Sequence, residues 1–198
     1  MLFGSTTGWA VFLVKEIPGI VTLSAGKHKS YTVNKRRLCT MATKVYAAMT
    51  IANWFLVRHA AEMRADDGID PMTQMKLHKL LYYAQGVHLA VTDAPLFSDD
   101  LLAWQHGPVV RSLYDRYKGQ RTLDTPITAQ EAADYDQVES DQNAAEILEA
   151  VYDRYGEYSA AQLREMTHAE APWAETPHNE VISQDLIERF FKQNIVIQ

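Results

Sequence analysis

Between Thr73 and Val91, apolar residues recur at Leu77, Leu80, Leu81, Ala84, Val87 and Val91. This is the i, i+3, i+4, i+7 spacing of a helix, with Thr73 placed to cap it. A second stripe, Lys79, Tyr83, Gly86 and Ala90, includes small residues that let a neighbour approach closely. A third, His78, Tyr82, Gln85 and Leu89, is mixed. So little of this helix is purely polar that it belongs at the centre of a domain.

Around it the pattern predicts further helices. Thr50 caps one through about Arg64, with Ile51, Ala52, Phe55, Leu56 and Met63 in one sector, and Asp66 to Pro71 stops it. Leu96 to Gln105 is too short and irregular for a helix and reads as a loop and short strand, half of a hairpin. Gly107-Pro108 restarts a helix, because proline at a first helical position leaves no amide hydrogen unpaired. Val110, Leu113, Tyr114 and Tyr117 form its buried stripe and Gly119 ends it.

Thr128-Ala129-Gln130-Glu131 and Ser159-Ala160-Ala161-Gln162 are capping boxes. Between them a helix runs from about Ser140 to Tyr155, closed by Gly156. The second box opens a helix to Thr167, Pro172-Trp173 begins a single turn, and Ser183 caps a last helix through Phe191. The tail from Asn194 to Gln198 is β-branched and either adds a strand or frays. The fold class is mainly α: a compact single helical domain of about six helices around a central helix 73–91, with one short β element near 96–105.

Charge changes the picture more than composition does. Residues 1–44 hold seven Lys or Arg against one acid, and the remaining residues hold twelve against twenty-four. An acidic body repels phosphate, so it is a poor general nucleic-acid binder and suits a basic partner. The reading expects residues 1–48 to be a basic N-terminal extension, disordered or outside the native domain, and 49–198 to be the domain. An early start, with the domain opening at Met41 or Met49, is preferred to a signal peptide, whose positive charge would precede its apolar stretch. A nucleic-acid arm is the remaining alternative. A single cysteine, Cys39, excludes a disulfide framework and points to a reducing cytoplasm. No apolar run of 18 residues spans a membrane.

Candidate chemistry is sparse. Of seven histidines, His78 and His88 are too far apart on one helix to share an ion, and His106, His168 and His178 fall in turns. No metal-binding spacing, nucleophile elbow or phosphate-cradling loop is present, so neither a catalytic residue nor a metal or cofactor is expected. Thr167-His168-Ala169-Glu170 resembles an acid–base pair loosely. The preferred reading has His168 capping carbonyls at a helix end, with Trp173 over the turn. Trp104 to Pro108 forms either a structural turn with Trp104 as a plug or a helix start able to hold an anion or a partner carboxylate. Tyr82, Tyr83, Tyr114 and Tyr117 suit core or interface. Lys76 and Lys79 are expected to pair with nearby acids.

Three segments carry a resemblance: Lys76 to Gly86, Ala103 to Val110, and Leu163 to Trp173. In this order and spacing they resemble the Panacea domain of SocA-like antitoxins, a family that includes phage-associated GepA-like proteins. The likeness spans about Thr50 to Trp173. His78 and His106 depart from the glutamine and aromatic residue more usual there. The resemblance implies an antitoxin that neutralises a cognate toxin, encoded by a neighbouring gene, by direct binding, in some relatives by delivering it to a cytoplasmic protease. It places partner-binding residues at Lys76, Lys79, Tyr82, Tyr83, Trp104, His106, Gly107, Pro108 and Val109. The motif's structural positions are Leu77, Leu80, Leu81, Gly86, Tyr114, Thr167, His168, Pro172 and Trp173. Two rivals remain: a DNA-binding autoregulator using Arg111, Arg116, Lys118 and Arg121, and a small metal- or His-dependent hydrolase around His168 and Glu170.

Overall fold

The computed structural model describes residues 12–17, 20–25, 29–33 and 44–197. Among them the chain is mainly helical, with α1 (Ala48–Ala65), α2 (Gln74–Thr92), α3 (Arg111–Tyr117) and α4 (Ala129–Glu139). These are followed by α5 (Gln142–Tyr155), α6 (Ala160–His168), α7 (Ala171–Ala174) and α8 (Gln184–Asn194). One sheet combines β1 (Phe12–Ile17), β2 (Ile20–Ala25), β3 (Lys29–Val33) and β6 (Val196–Ile197) in the order β3-β2-β1-β6. The other is the hairpin of β4 (Leu101–Trp104) and β5 (Gly107–Val110).

Helix α2 is the hub. Every residue from Leu77 to Val91 is buried, with α1, α5, α6, α8 and β5 around it. Thr73 Oγ1 accepts the Lys76 amide at its start, and Asp93, at φ 58°, turns the chain out at its end. Each fully buried leucine contributes about 2 kcal/mol. Gly86 marks the crossing with α8: a Cβ there would lie 2.3 Å from the Phe191 ring.

Both capping boxes form, at Thr128 with Glu131 and at Ser159 with Gln162. Three other caps differ from expectation, Ser183 among them: it stands at the N-cap of α8 without a side-chain hydrogen bond. Helix α1 begins two residues before Thr50, and its first amide is held by Asp99 Oδ2 at 2.8 Å, a cap supplied from another part of the chain. Helix α5 is capped by Asp141 through the Ala144 amide. The β-branched tail pairs parallel to β1, at Phe12 with Val196 and Leu13 with Ile197. Strands β2 and β3 lie against α5, where Leu23 and Val33 are fully buried and Tyr31 donates to Asp153.

The segment after His106 corrects the sequence reading. Gly107-Pro108 opens strand β5 instead of a helix, and α3 starts only at Arg111. The register is Trp104 with Gly107, Ala103 with Pro108, Leu102 with Val109 and Leu101 with Val110. Gly107 sits at φ +96°, a conformation that closes the turn and that other residues resist. Pro108 is tolerated because its missing amide falls on the outer edge of the ladder. On that edge, the Pro108 carbonyl accepts Lys79 Nζ at 3.0 Å and the Val110 amide donates to His78 Nδ1 at 3.4 Å. On the opposite edge, Ala103 and Leu101 exchange backbone bonds with Asn179, Glu180 and Ile182 at 2.8–2.9 Å. The half-hairpin expected near 96–105 therefore has its second strand where a helix was expected.

Candidate functional site

Two polar clusters sit on α2, one turn apart. In the first, Glu170 is fully buried at the start of α7. Tyr82 donates to its Oε2 at 2.6 Å and Tyr83 to its Oε1 at 2.8 Å. Tyr83 stacks on Tyr155 with ring centres 3.8 Å apart, and Phe191 meets Tyr82 edge-on. Burial pushes Glu170 up to about 7, although the two hydroxyls pull it down. Burial and then Glu170 hold both phenols far above their ordinary range.

This arrangement leaves His168 out of any acid–base pair with Glu170. Its ring stacks flat on Trp173 at 3.7 Å, and its Nε2 has no hydrogen-bond partner. The expected carbonyl capping by His168 is replaced by this stack.

The second cluster faces the hairpin. Lys79 is 1% exposed, and it bonds the Pro108 carbonyl where an acid was expected. Its stem fills the space under Gly107: a Cβ added there would sit 2.7 Å from Lys79 Cε and 2.8 Å from Thr167 Oγ1. Burial, then Arg164, pushes the ammonium down to about 7. Because His78 Nδ1 accepts the Val110 amide, its neutral ring carries the proton on Nε2, and that nitrogen is buried without a partner. Burial, then Lys79, holds this imidazole down at about 3. Lys76 likewise bonds a carbonyl and not an acid, that of Gly156 at the end of α5, at 2.6 Å.

Above the cluster, the hairpin tip forms a rim. The Trp104 indole meets Tyr114 edge-on at 4.8 Å and lies under the Arg111 guanidinium at 5.5 Å. Its carbonyl accepts Trp173 Nε1 at 2.8 Å. Between the tip and α2 lies a cavity of about 440 Å³ walled by Met75, His78, Lys79, Trp104, Val109 and Tyr114.

Of the residues expected to meet a partner, His106 is exposed, Trp104 and Lys76 are partly exposed, and Lys79, Tyr82, Tyr83, Gly107, Pro108 and Val109 are buried. Of the motif's structural positions, Leu77, Leu80, Leu81, Gly86, Thr167 and Pro172 are buried, and Tyr114, His168 and Trp173 are partly so. The sequence reading missed Glu170 as the tyrosines' acceptor, Arg164 as the charge acting on Lys79, and His178 in the cavity wall. Of the basic group proposed for DNA, Arg111 is engaged by Asp115 and Trp104, and Arg116 lies over the Tyr117 ring. Among the described residues no helix is long and apolar enough to cross a membrane, and no three His, Cys, Asp or Glu side chains gather as a metal site would require.

Comparison with known families places residues 77–174, about half of the chain, on the model of the antitoxin SocA-like Panacea domain. No curated protein and no solved structure matches the chain. The matched segment runs from α2 through α7 and so contains the hairpin and both clusters. Through this domain the chain belongs to the Panacea family of SocA-like antitoxins.

Proposed function

We propose that this chain neutralises a toxin encoded by a neighbouring gene by gripping it at the hairpin tip, around Trp104 and His106. Family membership supports an antitoxin role, a toxin as partner and a non-enzymatic mode of action. The observation that carries the rest is a tip whose side chains reach solvent while its backbone is fastened from three directions. Lys79 and His78 hold it from beneath, Trp173 from one end, and residues 179–182 from the side. A recognition element fixed in this way loses little conformational freedom on binding.

Under this proposal Trp104 is the aromatic anchor. Tyr82 and Tyr83 shape the surface from below without touching the partner, and Lys79 holds the tip from beneath. Lys76 joins from its own groove beside Gly156. The acidic body steers a basic toxin toward the tip and acts on association rate more than on affinity. The working unit is residues 49–198 with strands β1 to β3 packed on it, acting in the cytoplasm. The same grip serves to block the toxin or to hand it to a cytoplasmic protease.

Co-expression with the adjacent gene product, read as survival and as a co-purifying complex, tests the proposal. Rescue lost in Trp104→Ala, with folding intact, supports it. No rescue and no complex with the wild-type chain would sink it.

A further inference from the structure

The cavity beneath the hairpin tip gathers nitrogen-bearing side chains. His78, Lys79, His106 and His178 line it, and no carboxylate does. Arg164 and His168 stand close enough to act on the same groups: Arg164 depresses Lys79, and His168 is held down by burial and then by Arg164, Lys79 and His106. Two acids of neighbouring elements are already engaged, Glu170 by Tyr82 and Tyr83 and Asp115 by Arg111. In a body with twice as many acids as bases, such a cluster is not the average surface.

The hydrogen-bond inventory agrees. His78 Nε2, Arg164 Nε and His168 Nε2 are all buried without a partner. His78 is only 3% exposed and forms part of the cavity wall. Buried donors without acceptors are rare in folded chains, and each costs about 1–3 kcal/mol. One of the three, His78 Nε2, belongs to the cavity wall and marks a place that lacks an acceptor. The walls add an apolar part, from Met75, Val109, Trp104 and Tyr114. His78 Nε2 is closed to water in this conformation, so an arriving acceptor reaches it as the exposed side chains of Gln105 and His106 swing aside, with the tip's backbone in place.

We infer that this cavity is an anion subsite, taking a carboxylate borne on an apolar body and supplied by an acidic residue of the partner polypeptide. The last clause rests on the antitoxin reading; the subsite itself does not. A toxin that is basic overall would carry one acidic key for it. Mispaired toxins without that key leave the donors unmatched, which gives the interface its discrimination.

Phenylacetate and phenylacetamide, titrated separately into the isotope-labelled full chain, test the subsite through the Val110 amide and the Trp104 indole resonances. Phenylacetate is expected to shift both saturably and to bind about tenfold more tightly than the uncharged amide, the scale of one charge-assisted hydrogen bond. Lys79→Met is expected to abolish the preference. Because that variant also removes a buried group, His106→Glu at the exposed rim is the second probe, expected to weaken phenylacetate about tenfold by like-charge repulsion. Equal binding of acid and amide, binding of neither, or unchanged affinity in folded His106→Glu overturns the subsite.

Co-expression with the toxin tests its source. Protection by the wild type and not by His106→Glu supports a partner carboxylate. Protection by both overturns that clause while the antitoxin reading stands. Phenylacetate binding with no protection by the wild type overturns the antitoxin reading and assigns the site to a free organic acid.

Discussion

Tyr82 and Tyr83 give both hydroxyl protons to Glu170, whereas His78 and Lys79, one turn earlier on α2, face the hairpin beside donors that find no acceptor. Both clusters are buried, both are polar, and one helix positions both. They differ in completeness. The tyrosine–glutamate cluster closes on itself, with aromatic rings from α5 and α8 around it, as a structural element should. The lysine–histidine cluster is closed toward the hairpin backbone and open toward the cavity. Satisfaction of polar groups thus separates the part of the motif that closes on itself from the part that leaves a buried nitrogen unmatched.

The comparison breaks most visibly at Glu170. Glu170→Ala orphans two buried hydroxyls and is expected to cost about 4 kcal/mol in urea unfolding. Gly86→Ala drives a methyl group into the Phe191 ring and is expected to cost about 2–3 kcal/mol, partly restored in the double variant with Phe191→Leu. Gly107→Ala, which forces φ +96° on a residue with a Cβ and displaces Lys79, is expected to cost about 2 kcal/mol and to move the Pro108 and Val109 resonances.

The two clusters also differ in the sign of their pH dependence. Glu170 titrates near 7 in the folded chain, above its ordinary 4.5. Its contribution to stability is therefore full below pH 4.5 and lost as pH rises through 7. Lys79 lies at about 7, below its ordinary 10.5, so its contribution is full above pH 10.5 and lost as pH falls through 7. Urea series against pH should show the wild type losing stability relative to Glu170→Gln between 4.5 and 7. It should gain relative to Lys79→Met between 7 and 10.5. Neither slope exceeds about 1.4 kcal/mol per pH unit. The smallest effect is expected at Arg111→Ala, whose ion pair with Asp115 is more than half exposed, at no more than about 0.5 kcal/mol.

The fold was legible where the signals are local. Thr73, Thr128 and Ser159 cap what they were expected to cap, because a capping side chain and its amide lie within three residues. The three-stripe pattern of α2 marked it as central, since a helix apolar on most sides has to be surrounded. Legibility failed where the decisive partner is remote. Pro108 satisfies the rule for a helix start equally well at the edge of a two-stranded ladder, and only Lys79 and His78, about thirty residues earlier, fill that edge. Glu170 was read beside His168 because they are neighbours in sequence, but its hydrogen bonds go to tyrosines more than eighty residues away. Lys79 was assigned an acid because the body around it is rich in them; the Pro108 carbonyl served instead.

The way the hairpin is fastened limits how anything else can dock there. A bare strand edge invites β-augmentation, in which a second polypeptide lies alongside and extends the sheet through main-chain bonds almost regardless of its side chains. Here both margins are already used, one by the chain running from Asn179 to Ile182 and the other by two side chains of α2 beside an imino acid that has no hydrogen to offer. A second polypeptide cannot be adopted here as one more strand, so under the proposed function a toxin at this place would be told from others by residue identity.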